Sequence, residues 1–315
     1  MVTKKLISIV IPAYNEEEVL PELVKRLQHF FKTMPAYQFE VIIVENGSTD
    51  KSYDFLIRSA KKDKRFKILQ LSRNFGADNA IAAGMKFAKG NALVILMADL
   101  QEPIDLIKDF IKKWEEGYEI VYGIVKKRVA SLLRNFNSIL FYKIINFFAL
   151  NKFPENVSDF RLVDRKVYQV INNMNERNKY LRGMIEWAGF THIGVPFDRQ
   201  KRFAGQSKAD TLTVLNIALN GIFSFSYLPL RLISLLGILI TGVSFIMIIF
   251  YLCLYFAIIT SGKQVIPGIT TLILLILFLF GVLFFVLGII SEYLLRIYDE
   301  VKGRPYFIVK NKNNL

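Results

Sequence analysis

Two long stretches without a charged side chain limit what this chain can become. Leu232 to Gly262 and Gln264 to Ser291 contain only apolar and uncharged polar residues. Each exceeds the roughly 20 apolar residues needed to cross a bilayer core. Core helices of a soluble protein are the competing assignment, but two successive aliphatic runs of this length favour transmembrane helices. They also explain a mean hydropathy of +0.33 in a chain whose formal net charge is +14. The link Thr260–Gly268 carries one positive charge, Lys263. Nearly all Lys and Arg lie on either side of the two runs, including Arg296, Lys302, Arg304, Lys310 and Lys312 in the tail. The positive-inside bias therefore places both flanks in the cytoplasm and the chain in the cytoplasmic membrane as a multi-pass protein. The expected layout is a domain over 1–208, an interfacial amphipathic helix over 209–228, two transmembrane helices within 229–292 and a basic cytoplasmic tail over 293–315.

Lys4 and Lys5 lead into a short strand-like run ended by Pro12, too brief for a signal-peptide core. The only cysteine, Cys253, lies in the first apolar run, so no intramolecular disulfide is available and a reducing compartment fits. The positive surplus suits anionic lipid and phosphate-bearing substrates. No zinc-finger, RNP or basic-zipper pattern points to nucleic acid.

Before residue 128, strand-like and helical patterns alternate. Strands are expected over 6–11, 39–44, 66–71, 92–97 and 119–123, with helices over 17–32, 52–63, 77–88 and 104–116. Short connections between them predict an α/β fold with a mostly parallel sheet covered on both faces. Helical periodicity then recurs over 132–150 and 210–226. The second of these runs into the first apolar stretch, which favours a helix lying in the membrane interface over one packed on its own domain.

Chemistry-bearing residues gather where the expected strands end. The run Ala92–Met97 stops at Ala98-Asp99-Leu100-Gln101-Glu102-Pro103. On extended backbone Asp99 and Gln101 would share a face. Two oxygen ligands there suit a hard divalent cation that completes its shell with substrate phosphates and water. A solvated strand-end turn is the plainer alternative. Pro12-Ala13-Tyr14-Asn15-Glu16 and Glu45-Asn46-Gly47-Ser48-Thr49-Asp50 follow the first two strands, where a nucleotide can be held. Turn formation and helix capping alone would also account for Asn46-Gly47, Ser48 and Asp50.

Taken with Leu71-Ser72-Arg73-Asn74-Phe75-Gly76, these segments resemble family 2 glycosyltransferases with the GT-A fold. Ser158-Asp159-Phe160-Arg161, Tyr180-Leu181-Arg182-Gly183, Arg202-Phe203-Ala204-Gly205-Gln206-Ser207-Lys208 and Glu300-Val301-Lys302-Gly303-Arg304-Pro305 narrow the likeness. They resemble the polyprenyl-phosphate glycosyltransferases, a group that includes dolichyl-phosphate mannose synthase and bacterial undecaprenyl-phosphate glucosyltransferases. The resemblance implies a GT-A, Rossmann-like catalytic domain followed by interfacial helices and a two-helix transmembrane hairpin. It implies inverting transfer of a sugar, glucose from UDP-glucose by default, onto a polyprenyl phosphate such as undecaprenyl phosphate. GDP-mannose and UDP-N-acetylhexosamine remain open as donors, and association into a homotetramer is a further implication.

By the same resemblance Pro12, Ala13, Tyr14, Glu16, Glu45, Asn46, Ser48 and Arg73 bind the donor. Asp99 and Gln101 hold Mg²⁺ or Mn²⁺ against its diphosphate, while Asp159 and Arg161 face the sugar and phosphates. Arg199, Arg202, Ser207 and Lys208 grip the acceptor phosphate. For Asp159 and Arg161 a structural ion pair is the alternative; for the basic residues it is ordinary attraction to anionic headgroups. Met97 stands where the family usually has the first Asp of Asp-x-Asp, and Glu45-Asn46 lacks the usual Asp. The Gln-x-x-Arg-Trp hallmark of processive synthases is absent. A catalytically silent scaffold that binds nucleotide sugar is the rival that Met97 favours.

Overall fold

The computed structural model describes residues 4–126, 157–177, 179–204, 228–260 and 268–315. The helices expected over 132–150 and 210–226 lie outside the described residues, as do Ser207 and Lys208. The chain divides into two compact units, residues 1–221 with 303–315 and residues 222–302.

The first unit is an α/β sandwich. Its first half runs β1 (Leu6–Ala13), α1 (Leu20–Thr33), β2 (Gln38–Glu45), α2 (Ser52–Lys62), β3 (Phe66–Leu71), α3 (Ala77–Phe87) and β4 (Ala92–Ile95). A 3₁₀ turn at Ile104–Leu106 and α4 (Ile107–Glu115) lead to β5 (Ile120–Val125). Then come β6 (Val157–Asp164), α5 (Arg165–Asn173), α6 (Leu181–Trp187) and β7 (His192–Phe197). The near-continuous apolar runs of β1, β2 and β4 are buried, as both faces of a covered parallel sheet require. α1 has Pro21 and Glu22 in its first turn and buries Leu20, Leu23, Val24, Leu27, Phe30 and Phe31 at helical spacing. α3 lies tight on the sheet because Gly84 has no Cβ to strike Val10 and Val44.

The strands form one sheet in the order β7-β5-β6-β4-β1-β2-β3, closed at the far edge by β8 (Val309–Asn313). β1 is parallel to both β2 and β4, which makes a topological switch point between β1 and β4. Ligands of open α/β sheets bind at the carboxyl ends of strands there. β6 enters antiparallel between β4 and β5, with Arg161 opposite Ile95 and Tyr122, so its N-terminal residues reach the same end of the sheet.

Residues 303–315, the end of the basic tail expected over 293–315, rejoin this unit. β8 pairs antiparallel with β3, and Asn314 donates to the Ala60 and Phe66 carbonyls at 2.8 and 3.0 Å.

The second unit holds α7 (Leu228–Thr260) and α8 (Ile269–Lys302). α7 exposes Leu235, Ile238, Leu239, Phe245 and Ile246, and α8 exposes Phe278, Phe280, Phe284 and Phe285. Among the described residues one helical segment, Phe278–Lys302, is long and apolar enough to cross a membrane.

Candidate active site

The loops after β1 and β2 are laced together. Ser48 Oγ accepts from Asn15 N at 3.0 Å, Asn15 Oδ1 accepts from Thr49 N at 2.8 Å, and Ser52 Oγ accepts from Glu16 N at 3.0 Å. Asp50 accepts from Glu17 N, and Glu17 in turn accepts from Lys51 N. Asn15 adopts the left-handed conformation that asparagine tolerates, with φ 52°. At Gly47, φ 73°, a Cβ would fall 2.5 Å from the Arg73 carbonyl carbon, so only glycine lets this loop meet the one after β3. Asn46 closes the contact: its amide donates to Asn74 Oδ1 and Gly76 O, and its Oδ1 accepts from Phe75 N. Asn46 thus uses its side chain to hold these loops in register.

Glu45 differs. It is fully buried; Oε1 accepts from Ser48 N, whereas Oε2 has no hydrogen-bond partner among the described residues. A buried carboxylate oxygen left open is costly unless a ligand fills it. Pro12 and Ala13 are buried beside it at the end of β1, while Tyr14 and Glu16 are half-buried. Arg73 is exposed, donates to the Asn74 carbonyl at 3.0 Å and lies 4.2 Å from the centre of the Phe75 ring.

Beyond β4 the extended geometry expected through Met97 and Gln101 gives way to a turn. The strand ends at Ile95, and Leu100 takes φ 57°, which is rare for a bulky residue. The cause is local: Asp99 Oδ1 accepts from Gln101 N at 3.2 Å, an aspartate-type turn that competes with the strand ladder. Gln101 Nε2 donates to Gln200 O at 3.3 Å, and its Oε1 accepts no bond among the described residues. Asp99 is largely buried, and its Oδ2 accepts from Arg202 Nη2 at 3.0 Å.

Glu102 was given no role from sequence, although it belongs to the same motif. It is buried, accepting from the Ser158 hydroxyl at 2.8 Å and from Met97 N at 3.4 Å. Burial pushes its carboxyl up to about 7; the Ser158 bond opposes this and the charge of Asp99 adds to it.

Asp159 and Arg161 point from β6 into a charged cluster, but they do not form the ion pair considered from sequence. Arg182 of α6 holds Asp159 with two bonds, Nε to Oδ1 at 2.5 Å and Nη2 to Oδ2 at 2.6 Å. Burial resists ionisation of Asp159, yet Arg182, then Arg161 and Arg199, hold its carboxyl at about 2. Arg161 is 2% exposed; Nη2 donates to Ser158 O at 3.3 Å, and Nη1 has no partner among the described residues. At the start of α3, burial and the charge of Asp159 raise Asp78 to about 7, against Arg182 and Arg161. Arg182, Asp78 and Gln200 are the further residues that sequence reasoning left without a role. Only Arg182 had a signal, its place in Tyr180-Leu181-Arg182-Gly183.

The donor set fits a hard divalent cation in one way only. Asp99 and Gln101 offer oxygens, and no group of three or more His, Cys, Asp or Glu forms a closed cage among the described residues. Such a pair suits Mg²⁺ or Mn²⁺ when substrate phosphates supply the remaining ligands.

Residues 8–171 match the family model for glycosyl transferase family 2, just over half of the chain, and the chain belongs to that family. It is 42% identical over 306 residues to an uncharacterized glycosyltransferase of Synechocystis sp., covering 97% of this chain and 95% of that one. The SfII prophage-derived bactoprenol glucosyl transferase of Shigella flexneri is 35% identical over 98% of both chains. Among solved structures, a mannosyltransferase from Pyrobaculum calidifontis in complex with GDP-Man and Mn²⁺ aligns with TM-score 0.43 and 18% identity. That alignment covers 62% of this chain and 56% of that one.

Proposed function

We propose that this glycosyltransferase moves a sugar from a nucleotide diphosphate sugar onto a polyprenyl phosphate at the cytoplasmic membrane face, with inversion at the anomeric carbon. Identity across nearly the whole length of a bactoprenol glucosyl transferase carries the reading, and UDP-glucose is taken as the default donor. The open Glu45 oxygen, with Pro12, Ala13, Tyr14 and Glu16, lines a pocket for base and ribose. Asn46 and Ser48 hold that pocket in shape, and Arg73 borders it. Asp99 and Gln101 bind the cation, which when present neutralises charge on the departing diphosphate. Arg161 offers its unpartnered nitrogen to a phosphate or sugar oxygen, and Arg182 keeps Asp159 ionised beside it. Arg199 and Arg202, with Ser207 and Lys208, receive the acceptor phosphate. That phosphate is anionic near neutral pH, so attack needs positioning and charge stabilisation rather than a general base.

The same reading makes the apolar unit a two-helix hairpin. The two uncharged runs, Leu232 to Gly262 and Gln264 to Ser291, and the basic residues flanking them support that reading. A cysteine at Lys263 should react with an impermeant thiol reagent from outside intact cells. Labelling only after lysis would overturn the hairpin. Assembly as a homotetramer belongs to this reading too.

The decisive experiment incubates the purified chain with undecaprenyl phosphate, Mg²⁺ or Mn²⁺ and a panel of nucleotide sugars, with lipid products read by mass spectrometry. One donor should yield a sugar-phosphate-lipid, and Asp99→Ala should slow its formation by about 10²–10³-fold while the unfolding midpoint holds. Absence of any lipid-linked product would favour the silent scaffold.

A further inference from the structure

The segment Arg199–Ala204 is latched onto the loop after β4. Gln200 N donates to Gln101 O at 2.9 Å, and Gln101 Nε2 returns a bond to Gln200 O at 3.3 Å. Two residues on, Arg202 Nη2 reaches Asp99 Oδ2 at 3.0 Å, with side chains 28% and 12% exposed. The guanidinium therefore sits on the one carboxylate of the candidate cation pair, 103 residues away in sequence. Arg202 and a divalent cation compete for that carboxylate, because two positive centres a few ångströms apart repel.

We propose that Arg202 is an exchangeable counter-ion. It neutralises Asp99 until cation and donor diphosphate claim that carboxylate, and is then released to bind the acceptor phosphate. The inference rests on the function proposed above and adds an order to it, donor first and lipid phosphate second. The Gln101–Gln200 bonds hold the backbone of the segment in place, so the exchange is a movement of the Arg202 side chain on a fixed backbone. Arg202 is the more exposed partner, and the incoming cation replaces its charge on the buried carboxylate, so the pair can open without leaving Asp99 unpaired. The planar guanidinium then meets a phosphate with two parallel bonds, which a phosphate accepts as well as a carboxylate does. The arrangement also keeps Asp99, which burial would otherwise penalise, paired at every stage.

Mn²⁺ binding to the full chain in detergent with UDP present, followed by electron paramagnetic resonance against a protein-free Mn²⁺–UDP control, tests the exchange without turnover. Arg202→Ala and Arg202→Gln should each bind Mn²⁺ about three- to tenfold more tightly than the parent, since a competitor has been removed. Asp99→Ala should lose the site. In the parent, UDP with Mn²⁺ should tighten binding of farnesyl phosphate; in both Arg202 variants that coupling should vanish. Unchanged or weaker Mn²⁺ binding in both Arg202 variants, with the site lost in Asp99→Ala, overturns the exchange and leaves the cation assignment standing. Parental Mn²⁺ binding in Asp99→Ala would instead remove the cation assignment, and the exchange with it.

Discussion

Strand β2 carries a buried glutamate near each end, and the two live in opposite circumstances. Near the N-terminal end, Glu40 Oε1 accepts from Ser8 Oγ at 2.5 Å and Lys89 N at 2.7 Å, while Oε2 accepts from Lys67 Nζ at 2.5 Å. Ser8 in turn accepts from Gly90 N, so every polar atom is answered. Burial opposes its charge, but Lys67, Ser8 and Lys89 together hold the carboxyl below its ordinary value. At the C-terminal end Glu45 is just as buried and keeps one oxygen without a partner among the described residues. The same end holds the orphan nitrogen of Arg161, the left-handed Asn15 and Leu100, and the Asp99–Arg202 pair. One edge of the sheet has satisfied its hydrogen bonds internally, which serves stability. The other keeps open valences and strain, which is where a ligand gains most from arriving.

Glu40→Ala should break this comparison most severely. It leaves the partly buried Lys67 without its partner, and the Lys89 N–H and Ser8 hydroxyl without their acceptor, and should cost about 3 kcal/mol in chemical denaturation, with donor KM unchanged in the folded fraction. A loss below about 1 kcal/mol would show that the closed edge is not a stabilising one. Glu45→Gln keeps an acceptor for Ser48 N and should leave stability within about 1 kcal/mol. Donor KM should rise about tenfold, because the open oxygen is replaced by an amide NH₂ that cannot accept a hydrogen bond. A stability loss without a KM change would place Glu45 with Glu40.

Glu102→Gln gives the smallest effect and depends on pH. In the fold, burial first, and then the neighbouring Asp99, raise this carboxyl from 4.5 to about 7. The folded state therefore prefers the protonated form. The contribution is fully present below pH 4.5 and lost as pH rises through 7. The uncharged Glu102→Gln variant should gain on the parent between about pH 5 and 8 by on the order of 1 kcal/mol, read from unfolding midpoints. A pH-independent gap would mean that Glu102 ionises freely.

Much of the fold was legible because burial has a period. Alternating apolar runs and amphipathic helices place β1 through β5 and α1 through α4 within a few residues, since strand and helix spacings are local properties of the chain. The strand ends were legible as candidate sites for the same reason: polar residues follow abruptly on buried runs. The turn at Asp99–Gln101 was not, because an aspartate side chain bonding its own backbone outweighs the extended pattern before it. The scaffolding role of Asn46 escaped because its three partners come from another loop.

Hydrophobic patterning thus settled the α/β class and the apolar stretches, which depend on residues near in sequence, while the family resemblance singled out Glu45, Asp99, Asp159 and Arg202 as candidates. Only the tertiary fold decided that β6 enters antiparallel beside β4, that β8 returns to β3, and that Asp159 belongs to Arg182 and Asp99 to Arg202. Those pairings join residues 23 and 103 positions apart. Coulomb attraction selects among charged partners only after packing has brought them within a few ångströms, and no local pattern records that distance.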